Sequence, residues 1–127
     1  MSEKTKANTQ CALDYAFKRI GGKYKGRILF RLHMEGVMRY GELRKSILDI
    51  TTKMLTQSLS DLEADGLIVR KEYNELPPKV EYSLSQSGNE FIPLIIQLFN
   101  WGREQLGEEY TETPYASENF IQKLKDL

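Results

Sequence analysis

A short capped helix that runs straight into a two-stranded turn is the tightest constraint in this 127-residue chain. Thr51 is a good N-cap, because its hydroxyl can accept an orphan N–H of the first turn. Leu55, Leu59 and Leu62 then recur at the spacing of one buried face, and Gly66 stops the run after about Asp65. Two β-rich runs follow, 67–73 and 79–84, separated by Asn74-Glu75-Leu76-Pro77-Pro78. They predict an antiparallel hairpin with a longer loop.

Upstream, Leu13, Ala16, Phe17 and Ile20 share one helix face, and Gly21-Gly22 ends that helix. A second helix carries Tyr24, Ile28, Leu29, Leu32 and Met34 on its buried side and stops at Gly36; Lys25, Arg27 and Arg31 are expected off that face. Residues 39–47 read as a short third helix with Leu43 and Ile47 inward. After the hairpin, Ser87-Gly88-Asn89-Glu90 has the spacing of a capping box. It opens a last helix with Phe91, Leu94, Ile95, Leu98, Phe99 and Trp101 in a wide apolar stripe. Pro93 is placed near its start, where a missing donor matters least. The expected fold is mainly α with a small β-hairpin, in the order of a winged helix-turn-helix whose second helix of the pair enters the major groove. One domain over 11–107 is expected, with a frayed polar segment at 1–10 and an acidic tail at 108–127, weakly helical from about Asn119.

Charge bears on this reading through its distribution. Eighteen Lys and Arg balance eighteen Asp and Glu, which argues against a polybasic coating protein or membrane-surface binder. Yet residues 1–53 hold twelve cations against five anions and the remainder six against thirteen, a split of +7 and −7. No acid lies between Asp14 and Glu35, a stretch holding Lys18, Arg19, Lys23, Lys25, Arg27 and Arg31.

The single cysteine, Cys11, excludes an internal disulfide framework and a multi-cysteine zinc site. The single His33 has no suggestively spaced partner, so no metal and no cofactor are expected. Gly21-Gly22-Lys23 lacks the preceding strand and the spacing of a nucleotide loop. No nucleophile, base and orienting group stand together, so an enzyme is not expected. With no apolar run near the roughly 20 residues that span a bilayer, and no apolar segment behind Met1–Lys6, the expected location is cytoplasmic.

The outer face of the capped helix carries Thr52, Lys53, Thr56, Gln57 and Ser60. Gln57 can pair bidentately with adenine, Thr52 and Thr56 can meet a base or a thymine methyl, and Lys53 suits a phosphate. Lys25, Arg39, Arg44 and Lys45 are candidate backbone contacts. Arg70, Lys71 and Lys79 are candidates on the hairpin, where Glu72, Glu75 and Glu81 dilute them. The alternative is a winged-helix module that uses the same face to bind protein, since fold does not fix function.

Ordered motifs recur across residues 11–107: Cys11, Gly21-Gly22-Lys23-Tyr24, Ile28-Leu29, Tyr40-Gly41-Glu42-Leu43, Lys53-Met54-Leu55-Thr56-Gln57-Ser58-Leu59, Leu62-Glu63-Ala64-Asp65-Gly66-Leu67-Ile68, Pro77-Pro78-Lys79-Val80-Glu81-Tyr82 and Trp101-Gly102. This pattern resembles the HxlR-type helix-turn-helix regulators. Tyr24 stands where that family usually has Trp, and Ala12 where it often has Pro. The resemblance implies a homodimeric transcription regulator whose first and last helices build the dimer, through Leu13, Phe17, Phe91, Leu94, Ile95, Leu98 and Trp101. It implies an inverted-repeat operator on double-stranded DNA. In relatives the cysteine matching Cys11 senses quinones, aldehydes or oxidants, so a small electrophile is the implied inducer. Cys11 at a helix start has the local field that favours a thiolate; the alternative is an inert buried cysteine.

Overall fold

The computed structural model describes residues 9–108 and Asp126. The polar segment 1–8 and the weakly helical tail pattern at 109–125 and Leu127 lie outside the described residues. Helix α1 spans Ala12–Ile20 and buries none of its residues. Helix α2, Lys25–Glu35, starts behind the buried Tyr24 and ends at Gly36, whose φ of 81° needs a residue without a Cβ.

A single buried stripe does not describe α2. Ile28, Leu29, Phe30, Arg31 and Leu32 are all buried, because the helix is covered on two sides. Ile28, Leu29 and Leu32 enter the main core with Leu43, Ile47, Leu55 and Leu62. On the other side Phe30 meets Ile95 and stacks at 5.3 Å on Phe99. Arg31, expected on a solvated face, is buried in a cleft shared with Glu35, Met38, Glu42 and Ser46.

Two residues, Met38–Arg39, form strand β1, where the sequence pattern had predicted the start of the third helix. Helix α3 is Tyr40–Ser46, with Arg39 as N-cap and Ile47 as C-cap. The Glu42 carboxylate accepts the Arg39 backbone N–H at 2.9 Å, so the first turn is capped from inside the helix. Helix α4, Thr52–Ala64, is capped as expected: Thr51 Oγ1 accepts the Met54 N–H at 3.1 Å. Leu55, Leu59 and Leu62 face the core. Truncating any one of them to Ala would cost about 2–5 kcal/mol.

Strands β2 (Ile68–Tyr73) and β3 (Lys79–Leu84) form the hairpin, paired from Ile68 with Leu84 to Tyr73 with Lys79. β1 adds to β3 through Met38–Tyr82 and Arg39–Glu81, giving a three-stranded antiparallel sheet in the order β1-β3-β2. Helix α5 is Gln86–Leu106. Its cap is Ser85 rather than the expected Ser87: Ser85 Oγ accepts the Gly88 N–H at 3.0 Å and donates to the Gly66 carbonyl at 2.6 Å. Gly88 lies against the Leu67 carbonyl, where a Cβ would overlap it. The earlier start leaves Pro93 inside the helix, so the Asn89 carbonyl loses its helical partner.

Candidate nucleic-acid interface

α3 and α4 form a helix-turn-helix, and the turn between them is held by α2. Tyr24 Oη donates to the Asp49 carbonyl at 3.0 Å. Arg27 donates from Nη1 and Nη2 to the two Asp49 carboxylate oxygens at 3.2 and 2.8 Å, and Lys23 Nζ stands 3.1 Å from the same carboxylate. The Arg27 hydrogen bonds first, then Lys23, hold the Asp49 carboxyl well below the ordinary carboxylate range; Asp49 in turn raises the Lys23 ammonium. Sequence reading missed Asp49. Its signal is that it is the sole acid between Glu42 and Asp61, with three cations and an aromatic in the cluster 23–27.

Thr52, Lys53, Thr56, Gln57 and Ser60 are all exposed along one stripe of α4. Several are held from within. Arg44 Nε donates to Thr52 Oγ1 at 3.1 Å. Tyr40 Oη lies 3.2 Å from the Thr52 carbonyl and 3.0 Å from Thr56 Oγ1. Gln57 Nε2 donates to Asp61 at 2.9 Å, while Lys25 pairs with the same Asp61 at 3.5 Å and keeps 18% of its side chain exposed. The cations of α2 are thus largely engaged with the turn and with α4. Arg39, Arg44, Lys45 and Lys53 are exposed cations within and beside α3 and α4.

On the hairpin, Arg70 pairs with Glu72 at 3.3 Å and Lys79 with Glu81 at 3.9 Å. Lys71 lies opposite Glu81 in the β-register. The ammonium groups of Lys71 and Lys79 stand 4.8 and 4.7 Å from the centre of the Tyr73 ring. The hairpin cations are close together and locally compensated.

Elsewhere, α1 and α5 line an apolar groove. Leu13, Phe17, Leu94, Leu98 and Trp101 are each more than half exposed there. Phe91 is half-buried at its floor. Ile95, grouped with these by periodicity, turns inward against Phe30. Cys11 is the N-cap of α1 and is exposed in the protomer. It shares a cleft with Asp14, Tyr15, Lys18 and Arg19. His33 is exposed.

Comparison with known proteins adds to this geometry. The sequence profile described as HxlR-like helix-turn-helix matches residues 19–110. The chain is 48% identical over 98 residues to an uncharacterized HTH-type transcriptional regulator, YdzF, of Bacillus subtilis, covering 77% of this chain and 90% of that protein. It is 45% identical over 105 residues to YkvN of the same organism, another uncharacterized HTH-type transcriptional regulator, covering 83% and 88%. Among solved structures it is similar to the redox regulator HypR in its oxidized form, at 39% identity and a TM-score of 0.69, covering 79% of this chain and all of that one.

Proposed function

Because the chain belongs to the HxlR-like helix-turn-helix family, we propose that it regulates transcription as a symmetric dimer on an inverted-repeat operator. Its winged helix-turn-helix would present α4 to the major groove. One observation carries the reading: the exposed stripe of α4 offers three hydroxyls, an amide and one ammonium, from a helix whose opposite face is locked in the core. Hydroxyls and amides suit base edges, while Arg39, Arg44, Lys45 and Lys53 suit phosphates. Lys25, Arg70, Lys71 and Lys79 have acidic neighbours and would add smaller backbone contacts. The α1/α5 groove, with Leu13, Phe17, Phe91, Leu94, Leu98 and Trp101, would receive the second protomer. A small electrophile acting at Cys11 would release the operator, a role supported by the exposure of the thiol and by the likeness to a redox regulator.

Selection from a random duplex pool followed by a salt titration tests the proposal. The enriched duplex should carry an inverted repeat with half-site centres about 34–36 Å apart. Its affinity should fall steeply and linearly in log salt, and Lys53→Ala should lower that slope by roughly one. Weak binding with no enriched sequence would favour a protein-binding module instead.

A further inference from the structure

Tyr40 packs partly buried against the core, and its hydroxyl touches the reading helix twice. It is 3.2 Å from the Thr52 carbonyl and 3.0 Å from Thr56 Oγ1. A phenol has one proton, and a carbonyl can only accept. If that proton went to Thr56, the phenolic oxygen and the Thr52 carbonyl would face each other with no proton between them. The arrangement in which both contacts carry a proton is a directed chain: Thr56 Oγ1–H donates to Tyr40, and Tyr40 O–H donates to the Thr52 carbonyl. We infer that Tyr40 is a positioning residue that sets the polarity of Thr56, leaving only its oxygen lone pairs directed to the groove and thereby selecting an amino base there. This inference rests on the proposed DNA-reading role.

The consequence is chemical. An oxygen that has committed its proton can accept from adenine N6 or cytosine N4 and cannot donate to guanine O6 or thymine O4. Thr52 has a different arrangement. Its oxygen accepts from Arg44 Nε at 3.1 Å, so its own proton is left to donate to a keto oxygen, a purine N7 or a phosphate. Two threonines on one stripe thus differ: Thr56 has only lone pairs left for the groove, whereas Thr52 keeps its proton and one lone pair. Without Tyr40 Oη the Thr56 hydroxyl would rotate and accept either kind of base, because a free hydroxyl serves as donor and acceptor alike.

Random-pool selections with wild type, Thr56→Val, Tyr40→Phe and the double variant test this, with a thermal melt of each to establish folding. Thr56→Val keeps the shape of the side chain and removes its hydroxyl, so the position that it flattens is the one Thr56 reads. Wild type should prefer adenine or cytosine there. Tyr40→Phe should weaken the preference at that position alone by about threefold to tenfold, the worth of one hydrogen bond, and should add nothing on the Thr56→Val background. A keto base at that position, no position flattened by Thr56→Val, or a Tyr40→Phe profile that is unchanged or loosened everywhere would overturn the inference and leave DNA reading intact. If wild type enriches no sequence, the DNA-reading role itself fails, and the inference with it.

Discussion

Asp49 ties three groups at the start of α2 to the turn ahead of α4. Its carboxyl is depressed in the fold relative to an unfolded value of about 4. A depressed acid contributes stability that is fully present above the unfolded pKa and lost as pH falls through the folded one. Asp49 is 42% exposed, so screening limits the effect to about 1 kcal/mol or less. Asp49→Asn should destabilise the protein by that amount in denaturant melts at pH 7. The difference should shrink below pH ~4, and a gap that stays constant down to pH 3 would place the effect in packing rather than charge. Cys11 is a second residue-scale case. Ser is itself a good N-cap, so Cys11→Ser should keep α1 and operator binding while abolishing release by a quinone. Equal release from both proteins would make the thiol a bystander. The sequence marks Asp49 only as an isolated acid and gives Tyr40 no role of its own; their partners join different elements through side chains whose reach only the packed helices define.

At the scale of elements, local rules found what they govern. The Thr51 cap, the Leu55, Leu59 and Leu62 face and the hairpin about Pro77-Pro78 depend on neighbours in sequence, and each forms where its pattern stands. The failures have tertiary causes. β1 is two residues long and exists because β3 offers it an edge; two residues carry no periodicity to detect. Ser85 outcompetes Ser87 as the α5 cap because it also reaches the Gly66 carbonyl, and Gly88 permits the close approach to Leu67. Arg31 was expected on a solvated face and Ile95 in the dimer seam, on the assumption that each helix has one buried side in the protomer. The contact of α2 with α5 turns Ile95 inward against Phe30, while Arg31 is buried in a cleft shared with Met38, Glu42 and Ser46. For the candidate site, the stripe of α4 was legible residue by residue, while the pairing of Lys25 with Asp61 and of Gln57 with the same acid was not.

The whole molecule has an exposed apolar groove on one side and the polar stripe of α4 on another, and the proposed function requires both. One α4 reads one half-site; the inverted repeat is read only if two copies are held at a fixed spacing. The groove residues Leu94, Leu98 and Trp101 do not belong to the protomer core, since each remains more than half exposed. Charge at Leu98 should therefore spare the fold and act on assembly. Leu98→Asp is expected to change the melting behaviour by no more than a typical surface substitution, about 0.5 kcal/mol, while moving the protein to monomer in sedimentation. Affinity for the enriched duplex should then drop by roughly a hundredfold or more as the second half-site is lost from simultaneous engagement. Affinity for a single half-site should change little, because α4 and the turn held by Asp49 lie outside the groove. A variant that stays dimeric, or a monomer that keeps full operator affinity, would separate the groove from DNA reading and return the α1/α5 face to a different partner.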